Sequence, residues 1–217
     1  GWFAKYTNPK LHKDANFSYS LTDTVSYQFL DVANHNGQKG ETHYKTALWV
    51  RNQVEASGNY RPITNVKIYG GDTDYVWAGS RKDGKERFWR DVFAGHAAVR
   101  FHRPPFGIGL NEEAQHQIKS MRKLTDAVDF FTFRPSNDLL DQRKSNEAFC
   151  LSNNENEYLL YFPSTGEIKL SAEEGTYEAR RLHIPSSSWD SSEQIELPGL
   201  IEVDREAQWA LVVKKIP

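Results

Sequence analysis

The apolar and polar positions of this chain follow two rhythms, and the change comes near residue 136. In the first part, short apolar runs alternate with longer stretches whose apolar residues recur every three or four positions. Residues 25–30 (Val-Ser-Tyr-Gln-Phe-Leu) predict a strand, followed by a polar loop to Lys39. Residues 41–56 predict a helix: Tyr44, Ala47, Leu48 and Val54 share a face, Glu41 and Lys45 form an i,i+4 pair, and Gly58 stands just past the end. His43 falls on the surface of that helix. Residues 62–69 predict the next strand, stopped by Gly70-Gly71-Asp72. A second helix is expected over 85–98, with Trp89, Val92, Phe93 and a core histidine, His96, on one side. A short strand over 99–102 ends at Pro104-Pro105. The third helix begins at the cap Asn111, ahead of Glu112 and Glu113, and turns Ile118, Met121, Leu124 and Val128 inward. Strand–helix alternation of this kind predicts βαβ units and a parallel sheet, either open or part of a (β/α)₈ barrel.

Beyond residue 136 the helical spacing disappears. Residues 148–151, 157–162, 167–170, 176–184, 194–197 and 208–213 read as short alternating strands. Turn signals separate them: Asn153-Asn154, Ser164-Thr165-Gly166, Glu174-Gly175, Pro185-Ser186 and Pro198-Gly199. The pattern predicts a small antiparallel β-sandwich over 136–217, behind an α/β part over 1–135. The serine-rich stretch from Ser186 to Ser192 reads as a long exposed hairpin loop, with Trp189 near its tip.

Composition narrows the class. The chain has 217 residues, 38% hydrophobic and 13% aromatic, with six Trp, ten Tyr and twelve Phe. That aromatic content excludes a disordered chain. Against 29 acidic residues stand 27 basic ones, a formal charge of −2, so neither nucleic acid nor a membrane surface is indicated as a partner. No apolar run approaches the roughly 18 residues of a membrane helix. Cys150 stands alone, which excludes an intrachain disulfide and a cysteine-based zinc site; its alternation makes it an ordinary strand residue. No phosphate-binding glycine loop and no metal-ligand spacing occurs, so neither a cofactor nor a metal is expected. The start, Gly1-Trp2-Phe3-Ala4, carries no initiator Met and no signal-peptide pattern, and reads as a processed start or a piece of a longer chain.

Several stretches resemble a known family. They are Arg61 to Gly70, Glu86-Arg87-Phe88-Trp89-Arg90, and Gly95 through Pro105 (Gly-His-Ala-Ala-Val-Arg-Phe-His-Arg-Pro-Pro). Together they resemble the last strands of the apiosidase-like, bacterial glycoside-hydrolase-like (β/α)₈ group of polysaccharide-degrading enzymes. Asn137-Asp138-Leu139-Leu140, Asn146-Glu147-Ala148-Phe149, Tyr158 to Pro163 and Gly175-Thr176-Tyr177 resemble the β-sandwich that follows the barrel there, often labelled a collagen-binding domain. The resemblance implies the C-terminal part of a glycoside hydrolase, a polysaccharide or oligosaccharide partner, and an extracellular or periplasmic location. It also implies that the earlier barrel strands come from a preceding part of the polypeptide or from another chain. The alternative is a non-catalytic glycan-binding or structural module with a degenerate barrel.

Glycoside hydrolysis needs two carboxyl groups, and in barrels these stand at the C-terminal ends of strands. Asp72 and Asp74, in the loop after the strand over 62–69, are the catalytic candidates, because Val66-Lys67 occupies the place where the resemblance leads one to expect a Glu. Tyr75 and Trp77 follow as a sugar-stacking platform. Arg100 and His102 share a face by alternation and, with Arg103, are candidates for binding the carboxylate of a uronic acid. Ion pairs of these cations with Glu86, Asp91 or Asp129 are the structural alternative. Gln28 and His35 are candidates for hydrogen bonds to sugar hydroxyls.

Overall fold

The computed structural model describes residues 30–32, 39–58, 60–71, 79–104, 107–153 and 155–216. The chain divides into two compact units, Gly1–Leu110 and Asn111–Pro217. The fold is mixed α/β, and most of its strand pairs are antiparallel. No described helix is long and apolar enough to cross a membrane.

In the first unit, β1 (Leu30–Val32), β2 (Ile63–Ile68) and β3 (Ala98–Phe101) form a parallel sheet in that order. Helix α1 (Gly40–Ala56) joins β1 to β2, and α2 (Arg81–Phe93) joins β2 to β3. The βαβ alternation of the sequence is therefore present, although residues 25–29 of the expected first strand lie outside the described residues. On α1 the buried stripe runs through His43, Ala47, Val50 and Val54, with Tyr44 and Thr46 beside it, while Leu48 is only half-buried. His43, expected on the surface, is fully buried, because it precedes Ala47 by one turn on that stripe.

Helix α2 starts four residues earlier than its apolar pattern suggested, because Ser80 and Asp83 form a capping box: the Ser80 hydroxyl accepts from Asp83 N and the Asp83 carboxylate accepts from Ser80 N at 2.8 Å. It also stops early, at Phe93. Gly95 N–H donates to Val92 O and His96 N–H to Asp91 O, a Schellman ending that requires the positive φ of Gly95, +79°. Phe88, Trp89, Val92 and Phe93 are buried, each contributing about 1.5–3 kcal/mol relative to exposure. Phe88 stacks on Phe101 of β3 with ring centroids 4.8 Å apart. The Arg87 guanidinium donates to Tyr69 O at 2.8 Å and fastens the end of β2 to the helix.

Between β2 and β3 the register shifts after Asn65↔Val99 and resumes at Ile68↔Phe101. Val66 and Lys67 thus stand opposite Arg100 alone, a bulge just before the strand ends. Burial follows it: Ile63, Asn65 and Ile68 are buried, a pattern that strict alternation would not give.

The second unit opens with α3 (Glu112–Asp126), capped as expected by Asn111, whose side chain accepts from Ala114 N at 2.9 Å. Its fully buried residues are Ala114, Gln117, Ser120 and Leu124; Ile118, Met121 and Val128 are half-buried. The stripe is rotated toward polar residues because the Ser120 hydroxyl meets the Ser187 turn, 2.8 Å from Ser187 Oγ and from Ile184 O. The strands are β4 (Arg134–Pro135), β5 (Leu140–Asp141), β6 (Phe149–Ser152), β7 (Glu157–Phe162), β8 (Gly166–His183), β9 (Ser188–Trp189), β10 (Glu193–Val203) and β11 (Trp209–Lys215). They form one antiparallel sheet in the order β10-β8-β11-β7-β6-β4, with β5 and β9 also paired to β8.

Glu174-Gly175 and Pro198-Gly199 are bends inside long strands, not turns between strands. The β8–β10 register runs from Glu193↔Ala179 to Leu197↔Gly175, shifts, and resumes at Gly199↔Leu170. Gly175 has φ +150°, and a side chain there would meet Lys215 Cε at 3.1 Å. Both arms of β8 reach one core: Ile168 and Leu170 from the first, Tyr177 and Ala179 from the second, joined by Leu160, Leu211 and Val213. Ser186-Ser187-Ser188 is a tight turn and not a long exposed loop. Ser187 N–H donates to Ile184 O, and the buried Ser187 hydroxyl donates to His116 O at 3.0 Å while accepting from Ser120. Trp189 pairs with Leu182 in β9 and lies half-buried under the Arg180 guanidinium at 4.8 Å.

Candidate functional site

The C-terminal ends of β2 and β3 lie side by side in the first unit and bring Tyr69, His102 and Arg103 together. Phe101 turns to α2, so its neighbours Arg100 and His102 occupy the other face, as alternation predicts. Arg100 is exposed, and its Nε donates to Val66 O at 3.1 Å across the bulge. That contact takes the place of the ion pairs considered from the sequence: Glu86 pairs with Arg90, and Asp91 accepts from Asn65.

His102 is half-buried and held from several sides. Its N–H donates to Ile68 O at 2.8 Å, its carbonyl accepts from Gly109 N at 2.7 Å, and its ring lies against Tyr69 with centroids 4.4 Å apart. Gly107 approaches so closely that a Cβ there would fall 2.5 Å from His102 O. Partial burial lowers the His102 pKa, and the cations Lys67, Arg103 and Arg100 lower it further. The imidazole is thus neutral near pH 7, with one donor and one acceptor. Burial raises the Tyr69 pKa, only partly opposed by Arg103, so the phenol keeps its proton. The site combines a neutral imidazole, a phenol and cationic side chains, a set suited to hydroxyl and carboxylate ligands.

Behind the sheet lies a buried polar cluster. Asp91 Oδ2 accepts from Asn65 Nδ2 at 2.6 Å, and Oδ1 lies 3.8 Å from His43 Nε2 and 3.7 Å from His96 Nδ1. Burial raises the Asp91 pKa, against Asn65, Arg90 and Arg87, and drives that of His96 down to about 4. The Schellman ending of α2 is what turns His96 back onto Asp91. The cluster ties β2, α1 and α2 together and so fixes the base on which the strand ends stand.

Of the candidates read from the sequence, Arg100, His102 and Arg103 are gathered here. Gln28, His35, Asp72, Asp74, Tyr75 and Trp77 lie outside the described residues. Tyr69 and Lys67 were missed, having been read only as strand residues; Tyr69 was legible as the last aromatic before Gly70-Gly71. Among the described residues no group of three His, Cys, Asp or Glu side chains is placed to hold a metal. Burial pushes the Cys150 thiol up, as suits a residue packed inside β6.

The chain is similar in fold to a glycoside hydrolase family 5 protein from Bacteroides vulgatus, with 12% identity and a TM-score of 0.67, covering 87% of this chain and 51% of that one. The fold is glycoside-hydrolase-like. A GH30 endoxylanase from Clostridium papyrosolvens is similar at 8% identity and a TM-score of 0.53, over 93% of this chain and 53% of its own. Amy13B from Eubacterium rectale is similar at 9% identity and a TM-score of 0.52, over 87% and 49%. The chain therefore spans about half the length of the solved structures it matches. No protein-family model matches the sequence, and neither does the sequence of any curated protein.

Proposed function

We propose that this chain is the C-terminal portion of a glycoside hydrolase acting on a polysaccharide. Its first unit contributes late strands of a (β/α)₈ barrel, and its second, a single bent antiparallel sheet, stands for the β-sandwich that follows the barrel in apiosidase-like enzymes. The reading is carried by the fold likeness over 87% of the chain. It is supported by the position of Tyr69, His102 and Arg103 at adjoining parallel strand ends, where barrel enzymes bind their substrates. In this reading Arg103 and Arg100 attract a uronic acid carboxylate, while His102 and Tyr69 hold sugar hydroxyls. Asp72 and Asp74, which follow β2 in the sequence, supply the acid and base, with Tyr75 and Trp77 stacking on the sugar ring and Gln28 and His35 adding hydrogen bonds. The remaining strands come from a preceding part of the polypeptide or from another chain, and the protein works outside the cytoplasm, on exported or extracellular glycan.

One observation favours a second reading, a non-catalytic glycan-binding module. Lys67 occupies the bulge of β2 near the place where the resemblance calls for a carboxylate. The described residues that end β2 and β3, Tyr69 to Gly71 and His102 to Pro104, include none.

The test sets the 217-residue chain against neutral and uronate-bearing polysaccharides, reading both binding and released reducing ends. Binding that weakens about tenfold in His102→Ala and Arg103→Ala supports the glycan site. Reducing-end release that vanishes in Asp72→Asn or Asp74→Asn, with binding retained, selects catalysis; binding without release selects the module. A chain that binds no glycan overturns both.

A further inference from the structure

The bent β8–β10 hairpin and β11 line a cleft of about 510 Å³ within the second unit. That volume is in the range of small-ligand sites, about 300–1,000 Å³. The bends at Gly175 and Gly199 create it by turning the two arms of β10 toward each other. Ile195, Ile201 and Leu211 line it with aliphatic surface, and Leu200 stands at its edge with 60% of its area exposed. Arg181 spans the arms: its guanidinium pairs with Glu193 of the first and donates to Glu202 O of the second. Arg205 lies over the Trp209 ring at 4.5 Å and pairs with Asp190. Glu202 and Asp204 are exposed residues of the lining, and Glu202 O accepts from Arg181.

We propose that this cleft binds a neutral oligosaccharide. Its charged lining, Arg181 and Arg205 against Glu193, Glu202 and Asp204, holds both signs in near balance. An anionic ligand meets three carboxylates there, and a cationic one meets two guanidinium groups. A neutral polyhydroxyl ligand meets donors and acceptors together, while its C–H faces lie on Leu200 and the aliphatic wall. The cleft is thus the counterpart of the cationic strand ends of the first unit: one suits uncharged sugar units, the other acidic ones. The inference rests on the carbohydrate reading above and adds a second site with a different ligand preference.

The experiment titrates neutral xylo-, cello- and manno-oligosaccharides, and separately a uronate oligosaccharide, into the 217-residue chain by calorimetry. Leu200→Asp and Asp204→Ala are compared with the parent; both side chains are exposed, so an unchanged thermal midpoint verifies that the variants are folded. The expected result is micromolar-to-millimolar binding of a neutral oligosaccharide that weakens at least tenfold in both variants. Neutral binding that both variants retain at full strength overturns the cleft and leaves the carbohydrate reading standing. Absence of neutral binding also overturns the cleft, and the uronate titration then decides the carbohydrate reading on its own.

Discussion

Gly70, at the end of β2, and Gly84, in the second turn of α2, meet backbone to backbone: a Cβ on Gly70 would lie 2.5 Å from Gly84 Cα and 2.7 Å from its N. Two glycines allow the strand end to press into the helix, and Arg87 donates to Tyr69 O from one turn further along. Alanine in place of a helical glycine normally stabilises by about 1 kcal/mol. At Gly84 the added methyl would stand 3.0 Å from Gly70 Cα and 3.2 Å from Tyr69 O. Gly84→Ala should therefore give no gain, and Gly84→Val should lose about 1–3 kcal/mol through overpacking. Denaturant unfolding of the two variants checks both values.

The buried cluster predicts an acid-sensitive first unit. The folded-state pKa of His96 is about 4, against an ordinary 6.5. A base whose pKa falls on folding contributes stability that is complete above pH 6.5 and is lost as pH drops toward 4, at most on the order of 3 kcal/mol. Asp91 acts in the opposite direction: burial raises its pKa, so the folded state gains relative to the unfolded as the carboxyl takes a proton. The net decline between pH 6.5 and 4 is therefore smaller than His96 alone would give. Across this window the parent should lose more stability with falling pH than His96→Gln, in which the remaining Asp91 effect holds the midpoint level or raises it. A parent profile no steeper than that of the variant would contradict the assignment.

At the strand ends, the cations that surround His102 set its titration. Burial is the first cause of its lowered pKa, and Lys67 leads the charged contributions. Lys67→Ala should move the His102 midpoint upward, toward 6.5, as measured by imidazole NMR. Affinity for a uronate oligosaccharide should rise as pH falls through that midpoint, since the protonated ring adds a positive charge, and the rise should shrink with added salt.

Ser187 holds a turn in the left-handed region, with φ +53°, while its hydroxyl bridges Ser120 and His116 O. Ser187→Ala loses the bridge and keeps the backbone strain, a cost of about 1–3 kcal/mol. Ser187→Gly loses the same bridge but relieves the strain, so it should be less destabilising by up to about 1 kcal/mol. The two thermal midpoints, compared side by side, test the order.

Much of the element order was legible, because periodicity announces it. The apolar spacing of α1, the cap at Asn111 and the strand over 157–162 have their counterparts in the structure, although that strand is buried on both faces from Tyr158 to Phe162 and does not alternate. Three kinds of feature escaped. The Ser80–Asp83 box and the Schellman ending displaced both ends of α2, since apolar spacing alone does not register hydrogen bonds at helix termini. The bulge at Val66-Lys67 escaped because it exists only relative to β3. Gly175 and Gly199 were read as chain reversals, whereas long-range pairing makes them bends in strands that continue. At the candidate site, Arg100, His102 and Arg103 were found from their place before Pro104-Pro105. Tyr69 gained its role only through contact with His102, and the His43–Asp91–His96 cluster depends on packing between elements that a linear pattern does not encode.

The sheet order carries a consequence for assembly. β7 and β8 are joined by a short link, yet β11 lies between them, pairing Leu211 with Leu160 on one side and with Arg181 on the other. Neighbours in the chain must therefore stay apart until a strand from much further along arrives to fill the gap. Half of the hydrogen-bonding edge of each waits on that arrival, so the second unit closes around its most distant segment. Loss of that segment would open the middle of the sheet, leaving two separate pieces, where removal of β4 would only trim a margin.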